Sequence, residues 1–497
     1  MYDQKKPPFV EQALFKASEI KQIERLAAKS GAYPLYQLME NAGLAAWEYI
    51  QKHWPEAQNI TLVCGNGNNA GDGFVLARIA KSKGKIVQVV TVDPECVYKG
   101  DALQAYLAMQ DQAIYTQTFA PSLLNNQDLI VDAILGTGLK GRLRENCLQA
   151  ITAINAFVDQ KSPKIGVFSL DIPSGLHSET GFINPIAIQA TRTLTFIALK
   201  LGMVTGSARA FCGIIDVDDL DIDTNYQQQF PASAWIDDAD ALINSLPKRS
   251  KIAHKGDHGR LLLIGGDYGF GGAILMSAVA AARSGVGMLT ILTRDAHVAP
   301  ILTQCPEAMI RSITGAEDPS LKEILATVDA VVIGPGLGQG EWGRGILDVV
   351  VAADLPLLID ADALNILAGQ GKSNDKWVMT PHPGEASRLL GVEISAIEED
   401  RYAAVLLLQK KYSGVIVLKG AGTLIADNNN NITVCNEGNP GMASAGMGDI
   451  LSGIIGSLLA QGLAENQAAR IGVALHARAG DLAAINGQKG LMATDLI

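Results

Sequence analysis

Hydrophobic positions follow two rhythms along this chain. Residues 18–30 and 34–53 repeat apolar side chains every three to four positions, which predicts two amphipathic helices. Ser18 is placed as the N-cap of the first and Pro34 as the opening residue of the second. The rhythm then changes to compact β-branched runs separated by helical stretches: ITLVC (60–64), IVQVVTV (86–92), LIVDAIL (129–135), IGVFSL (165–170) and TLTFIAL (193–199). Apolar runs bounded by Gly, Asn and Asp, with helices between, predict a parallel sheet covered on both faces. Residues 222–258 carry little periodicity, and a second series follows: RLLLIGG (260–266), MLTILT (288–293), AVVIG (330–334), LPLLID (355–360), VIVLKG (415–420) and TLIAD (423–427). Residues 449–486 read as helical, and NNNN at 428–431 reads as a hairpin tip, because Asn tolerates left-handed turns. The pattern predicts an α/β protein of two three-layer α/β/α domains, 1–228 and 229–497.

Composition narrows the class. Of 497 residues, 48% are hydrophobic and 18% charged, enough apolar material for more than one core, so a disordered chain is excluded. The 51 glycines show no G-X-Y period and point instead to site loops. A net charge of −11 argues against a nucleic-acid surface, although a small nucleotide can bind through backbone N–H groups. The stretch MYDQKKPPFVEQALFK lacks the apolar core of a signal peptide, and no apolar run is long enough to span a membrane. The six cysteines form no C-x-x-C pair, so reduced thiols, no structural zinc and a cytoplasmic location are expected.

Three segments of the first half end predicted strands, where open α/β sheets bind ligands. GNGNNAGDGF (65–74) precedes a helix predicted over 74–83; its glycines allow close backbone approach and the helix start favours an anion. Its spacing is not the dinucleotide fingerprint, and a plain strand-to-helix turn is the alternative. DAILGTGLKGRLR (132–144) carries Asp132 within an apolar run, where a carboxylate needs a partner, followed by a flexible cationic loop. In SLDIPSGLHSETG (169–181), Asp171 ends another apolar strand, and partial burial suits it to proton transfer; a turn-capping Asp is the bland reading.

The second half repeats the arrangement. GGDYGFGGA (265–273), GPGLG (334–338), TPHPGE (380–385) and KGAGT (419–423) follow strands, with KGAGT equally readable as a hairpin turn. NPGMASAGMGDILSGIIG (439–456) leads from Gly446 and Gly448 into an apolar helix, whose first amides can form an anion hole beside Asp449.

Together these motifs resemble a known family. NNAGD (68–72), VDAILGTGLKGR (131–142) and LDIPSG (170–175) are similar to NAD(P)H-hydrate epimerases; TPHPGE, KGAGT and NPGMASAGMGD are similar to the hydrate dehydratases of the ribokinase-like superfamily. The resemblance, from about residue 10 to the end, implies a bifunctional NAD(P)H-hydrate repair enzyme with a Rossmann-like first domain and a ribokinase-like second. It implies binding of the hydrate by Asn68, Asn69, Ala70, Gly71 and Asp72, by the loop Gly136, Thr137, Gly138, Leu139, Lys140, Gly141 and Arg142, and by Asp171, the acid/base of epimerisation. A potassium ion is implied at Asn69, Asp132 and Ser174. In the second domain it implies Ala273, Gly336 and His382 at the hydrate; Lys419, Gly420, Ala421, Gly422, Thr423 and Gly448 at ADP or ATP, with Mg2+; and Asp449 as base. The partners implied are small molecules, with no nucleic acid or membrane, and the protein is expected to be a homo-oligomer. Position 70 is Ala where the family often has Gly. A true small-molecule kinase and a non-catalytic nucleotide sensor remain as rival readings on the same fold.

Overall fold

The computed structural model describes residues 6–29, 34–139, 141–160 and 165–497. It divides into two compact units: an N-terminal unit, Ala13–Ala234, and a C-terminal unit of Trp235–Ile497 together with the segment up to Gln12.

The N-terminal unit is built on a seven-stranded sheet: β1 (Asn59–Cys64), β2 (Ile86–Thr91), β3 (Thr116–Thr118), β4 (Leu129–Ala133), β5 (Gly166–Leu170), β6 (Arg192–Phe196) and β7 (Ile214–Asp218). All neighbours pair parallel, in the order β3-β2-β1-β4-β5-β6-β7. This is a doubly wound sheet whose order reverses between β1 and β4, the switch point where such sheets bind ligands. The predicted run 193–199 splits: β6 ends at Phe196, Ile197 takes a left-handed φ of 69°, and Leu199–Lys200 forms a separate short strand pairing with Leu14 and Phe15.

Three helices matter here: α1 (Ala17–Lys29), α2 (Leu35–His53) and α3 (Asn68–Ser82). Their starts differ from the sequence expectation. α1 begins before Ser18, and the Lys16 N–H is capped from inside the helix by Glu19 Oε2 at 2.8 Å. Pro34 is the N-cap of α2, with ψ 141°, rather than its first helical residue. α3 begins six residues earlier than predicted. Gly67 is its extended N-cap, so Asn68–Asp72 form the first turn instead of a loop. Asn and Gly are weak helix formers, and burial overrides them here. Ala70 is fully buried in that turn, without a left-handed φ, so its methyl is accommodated.

The C-terminal unit has its own sheet: β8 (Ala234–Asp237), β9 (Arg260–Ile264), β10 (Met288–Thr293), β11 (Met309–Ser312), β12 (Ala330–Ile333), β13 (Leu357–Ile359), β14 (Trp377–Met379), β15 (Val415–Leu418), β16 (Thr423–Ala426) and β17 (Ile432–Cys435). From β11 the order runs β11-β10-β9-β12-β13-β14-β15-β16-β17-β8. The strands from β11 to β15 pair parallel, and β15-β16-β17 form antiparallel hairpins. KGAGT is therefore the β15–β16 turn, and Asn428–Asn431 the β16–β17 tip, with Asn430 at φ 61°. Helices α4 (Gly271–Arg283), α5 (Pro383–Leu390), α6 (Met447–Ala460) and α7 (Glu465–Ala483) complete the parts used below. The predicted 449–486 helix is two, broken at Gly462 with φ 88°.

The N-terminal segment joins this unit through Arg470. Its guanidinium pairs with Asp237 Oδ1 at 2.6 Å and donates to the carbonyls of Pro8 and Phe9, with Arg470 and Asp237 both about 2% exposed. All six cysteines are free thiols. Among the described residues no helix is long and apolar enough to cross a membrane.

Candidate active sites

The N-terminal unit holds a cavity of about 700 Å³ at the C-terminal ends of its strands. The sequence-marked residues Asn68, Asn69, Asp72, Gly136, Thr137, Gly138, Leu139, Arg142 and Asp171 line it. Ala70 and Gly71 face away into the packing: a Cβ on Gly71 would lie 2.6 Å from the Met39 side chain. Gly141 serves the loop through its φ of 72°, and Lys140 lies outside the described residues.

Asp132 is fully buried beneath this floor. Ser174 Oγ donates to its Oδ1 at 2.5 Å, and the Ser174 N–H and Ser169 Oγ donate to its Oδ2 at 2.8 and 2.9 Å. Burial pushes its carboxyl above the usual range, against those donors. Asn69 Nδ2 donates to the Leu135 carbonyl at 3.0 Å, while its buried Oδ1 has no hydrogen-bond partner. A buried carbonyl oxygen without a donor is a vacant ligand for a hard cation.

Asp171 follows β5 with a left-handed φ of 64°, a conformation Asp tolerates better than most residues. Its Oδ1 is paired with Lys200 Nζ, and Lys200 is 1% exposed. Glu24, from α1, lines the same cavity. Burial, reinforced by the Asp171 charge, raises the carboxyls of both Glu24 and Asp72, Asp72 well above its ordinary range. Lys200 and Glu24 were missed by sequence reasoning. Lys200 had a signal: a lysine closing the apolar run TLTFIALK must be buried with a partner. Glu24 had none, being one charge among several on an amphipathic helix.

In the C-terminal unit, Lys419 occupies the β15–β16 turn. Its Nζ donates to Asp360 Oδ1 at 2.9 Å and lies 3.8 Å from Glu385 Oε2. Ser452 Oγ donates to Asp360 Oδ2 at 2.7 Å. Asp360 follows β13, so the strand-end carboxylate rule that marked Asp132 and Asp171 applies to it, yet it was not singled out. Burial opposes both charges, but each partner more than offsets it: Asp360 is held below the carboxylate range and Lys419 above the usual ammonium value.

His382 caps α5. Its Nδ1 accepts from the Gly384 N–H at 2.9 Å, and Glu385 Oε2 accepts from the His382 N–H at 2.8 Å. Burial and the Lys419 charge lower the His382 pKa, so the ring is neutral and presents Nε2–H. Burial and the charge on Asp360 push Glu385 up to about 7, against the pull of Lys419.

Asp449 lies in the first turn of α6, after Gly446 with φ 92°. Burial, then the charge on Asp360, raises its carboxyl to about 7. Its carbonyl accepts from Ser277 Oγ of α4 at 2.8 Å. A Cβ on Gly448 would sit 3.3 Å from Lys419 Nζ, so the helix start and the lysine crowd together there. Gly336, at φ 59°, packs against Phe270, and a Cβ on it would lie 3.3 Å from the Ala273 methyl. Gly420, Ala421, Gly422 and Thr423 continue from Lys419 round the hairpin turn, where Thr423 Oγ1 donates to the Gly420 carbonyl at 3.0 Å.

A doubly wound unit with an acid-lined cavity and a second unit with a lysine at a helix start define a two-site enzyme of nucleotide-like ligands. Comparison with known proteins specifies which. Residues 261–497 match the family model described as NAD(P)H-hydrate dehydratase, and residues 35–202 match that of the YjeF-related protein N-terminus. The chain is 44% identical to the bifunctional NAD(P)H-hydrate repair enzyme of Coxiella burnetii, over 97% of each chain. It is 42% identical to that of Escherichia coli, over 99% of this chain and 94% of the other. A solved ADP/ATP-dependent NAD(P)H-hydrate dehydratase from Bacillus subtilis, co-crystallized with ATP/Mg2+, is 30% identical with a TM-score of 0.47, over 52% of this chain and 93% of its own. The chain belongs to the bifunctional NAD(P)H-hydrate repair enzymes, which join an epimerase to a dehydratase.

Proposed function

We propose that the N-terminal cavity interconverts the R and S hydrates of NADH and NADPH, and that the C-terminal site dehydrates the S form at the expense of ADP or ATP with Mg2+. The observation that carries this is Asp449: a carboxyl poised near neutrality in the first turn of α6, beside the Lys419 ammonium. Asp449 takes the proton of the C6 hydroxyl as that oxygen attacks the terminal phosphorus of the nucleotide. The α6 amides and Lys419 stabilise the charge on the transferring phosphoryl group. The nucleotide departs with the P–O electron pair, as AMP from ADP or as ADP from ATP. Phosphate then leaves C6 with the C–O electron pair as the ring nitrogen lone pair forms a C=N bond, and loss of a proton from C5 restores the C5=C6 bond. Hydroxide is a poor leaving group and phosphate a good one, which explains the coupling to a nucleotide. Gly420–Thr423 and Gly448 hold the nucleotide in this reading; Ala273, Gly336 and His382 meet the hydrate.

In the N-terminal unit Asp171 is the acid/base. A potassium ion fits Asn69, Asp132 and Ser174, because the Asn69 Oδ1 is a buried acceptor awaiting a donor or cation. When bound, the ion would supply positive charge at the floor of the cavity.

Mixed R and S hydrate, incubated with the protein and with ADP, ATP or neither, tests the whole reading. Complete nucleotide-dependent recovery of reduced-nicotinamide absorbance is expected. Release of a stable phosphorylated product would favour a true kinase, and an Asp449→Ala protein with full dehydration rate would remove Asp449 from the mechanism.

A further inference from the structure

The N-terminal cavity contains a cation that the roles above leave unused. An ammonium has three N–H donors. On Lys200 all three are committed: to Asp171 Oδ1, to Thr195 Oγ1 at 2.6 Å and to the Phe196 carbonyl at 2.8 Å. Asp171 Oδ1 also accepts from Thr195 Oγ1 at 3.3 Å and from the Phe196 N–H at 3.4 Å. The second carboxylate oxygen points elsewhere: a Cβ on Gly136 would lie 3.7 Å from Asp171 Oδ2, so Oδ2 faces the loop that lines the cavity. Glu24 and Asp72 line that cavity too, and Lys200 has no N–H left for either.

Building on the epimerase reading of this unit, we propose that Lys200 is its positioning residue, clamping Asp171 Oδ1 so that Oδ2 alone meets the hydrate, with Asp72 as the opposing proton donor. One buried ammonium faces three carboxyls, and ionising all three in that space is prohibitively costly. The cluster therefore retains a proton. Lys200 is spent on Asp171, so the proton resides on the carboxyls it does not bind, in line with the raised positions of Asp72 and Glu24. Other charges face the cavity: Lys21, Arg25, Arg142 and Arg144 as exposed cations, Asp93 and Asp101 as half-buried carboxylates.

The step balances as follows. Asp72 gives its proton to the C6 hydroxyl, the C6–O bond breaks with its electrons leaving on water, and the ring nitrogen lone pair forms the C=N bond. A water adds to the opposite face of C6, and Asp171 Oδ2 takes its proton. Transfer of one proton from Asp171 to Asp72 restores the start.

The test follows R-to-S conversion of hydrated NADH by the full-length protein without nucleotide, from pH 5.5 to 9, with the two forms separated by chromatography. Lys200→Met is expected to lower kcat by about 100-fold with KM nearly unchanged, the size of one proton-transfer contribution. Asp72→Asn is expected to lower kcat and abolish the alkaline limb. A Lys200→Met protein whose kcat is unchanged, or whose loss falls on KM, overturns the positioning role, and an Asp72→Asn protein with the wild-type alkaline limb overturns the donor role. If Lys200→Met loses its thermal unfolding transition, Lys200→Gln, which keeps N–H donors at the site without the charge, is read for the positioning role in its place. Failure of the wild type to exceed the spontaneous rate would instead overturn the epimerase reading itself.

Discussion

Each unit sets a lysine among carboxyl groups at the C-terminal ends of parallel strands, and the two lysines differ in reach. Lys200 is 1% exposed with every N–H given to the protein. Lys419 is 20% exposed; Asp360 lies at hydrogen-bond distance, while Glu385 stands off at 3.8 Å. A sealed lysine can only fix the charge and posture of its neighbours. A partly open one beside a helix N-terminus can also hand an N–H to an incoming anion. The backbone explains the difference. Lys200 closes a short strand inside the fold, whereas Lys419 sits on a glycine-rich hairpin turn with Gly420 at φ 145° and Gly422 at φ 65°.

The largest expected effect breaks that comparison on the open side. Lys419→Gln keeps N–H donors but removes the charge. It should cut nucleotide-dependent dehydration of the S hydrate by about 1,000-fold, the scale of losing a main transition-state contact, and leave R-to-S conversion in the same chain unchanged. A loss confined to a few-fold would mean that Lys419 serves Asp360 as Lys200 serves Asp171, and nothing more.

The contrast also marks what the sequence could reveal. Asp132, Asp171 and Asp360 all close apolar strand runs, a position where a carboxylate must be paired, so the rule that marked two of them extends to the third. Glycine-rich turns after strands located both sites for the same local reason. Glu24 depends on how α1 packs over the cavity, which no local pattern encodes. The start of α3 at Asn68 was hidden because its residue types favour a loop, and only tertiary burial of Ala70 and Gly71 makes them helical. The attachment of Pro8 and Phe9 to the C-terminal unit rests on Arg470, more than 460 positions away by the spacing of its hydrogen bond to Pro8 at 462. Periodicity carries no information at that range.

A smaller effect separates the two acid groups by pH. Asp449, raised to about 7, must be ionised to accept the hydroxyl proton, so the dehydration rate at saturating substrate should rise as pH passes from 6 through 8, with its midpoint near 7. Asp449→Asn should flatten the rise as well as lower the rate. A wild-type profile already flat at pH 6 would show that another group takes the proton.

The smallest effect lies in stability, and it runs opposite to the loss of activity. The Asp449 carboxyl stands above its ordinary value of 3.8 in the folded unit. A raised carboxyl costs stability progressively as pH climbs above its unfolded value, and in full above its folded value, because ionising it in the folded state is harder than in the unfolded chain. Below the unfolded value both states are protonated and the cost disappears. Asp449→Asn should therefore stabilise the C-terminal unit by about 1–2 kcal/mol at pH 8, a conservative fraction of what such a shift carries. The gain should shrink as pH falls from 7 toward 4. Nucleotide-free urea titrations of wild type and variant at pH 8 and pH 5 measure it. A gain of equal size at both pH values would trace to packing of the amide rather than to the charge, and the strain placed at Asp449 would then not be electrostatic.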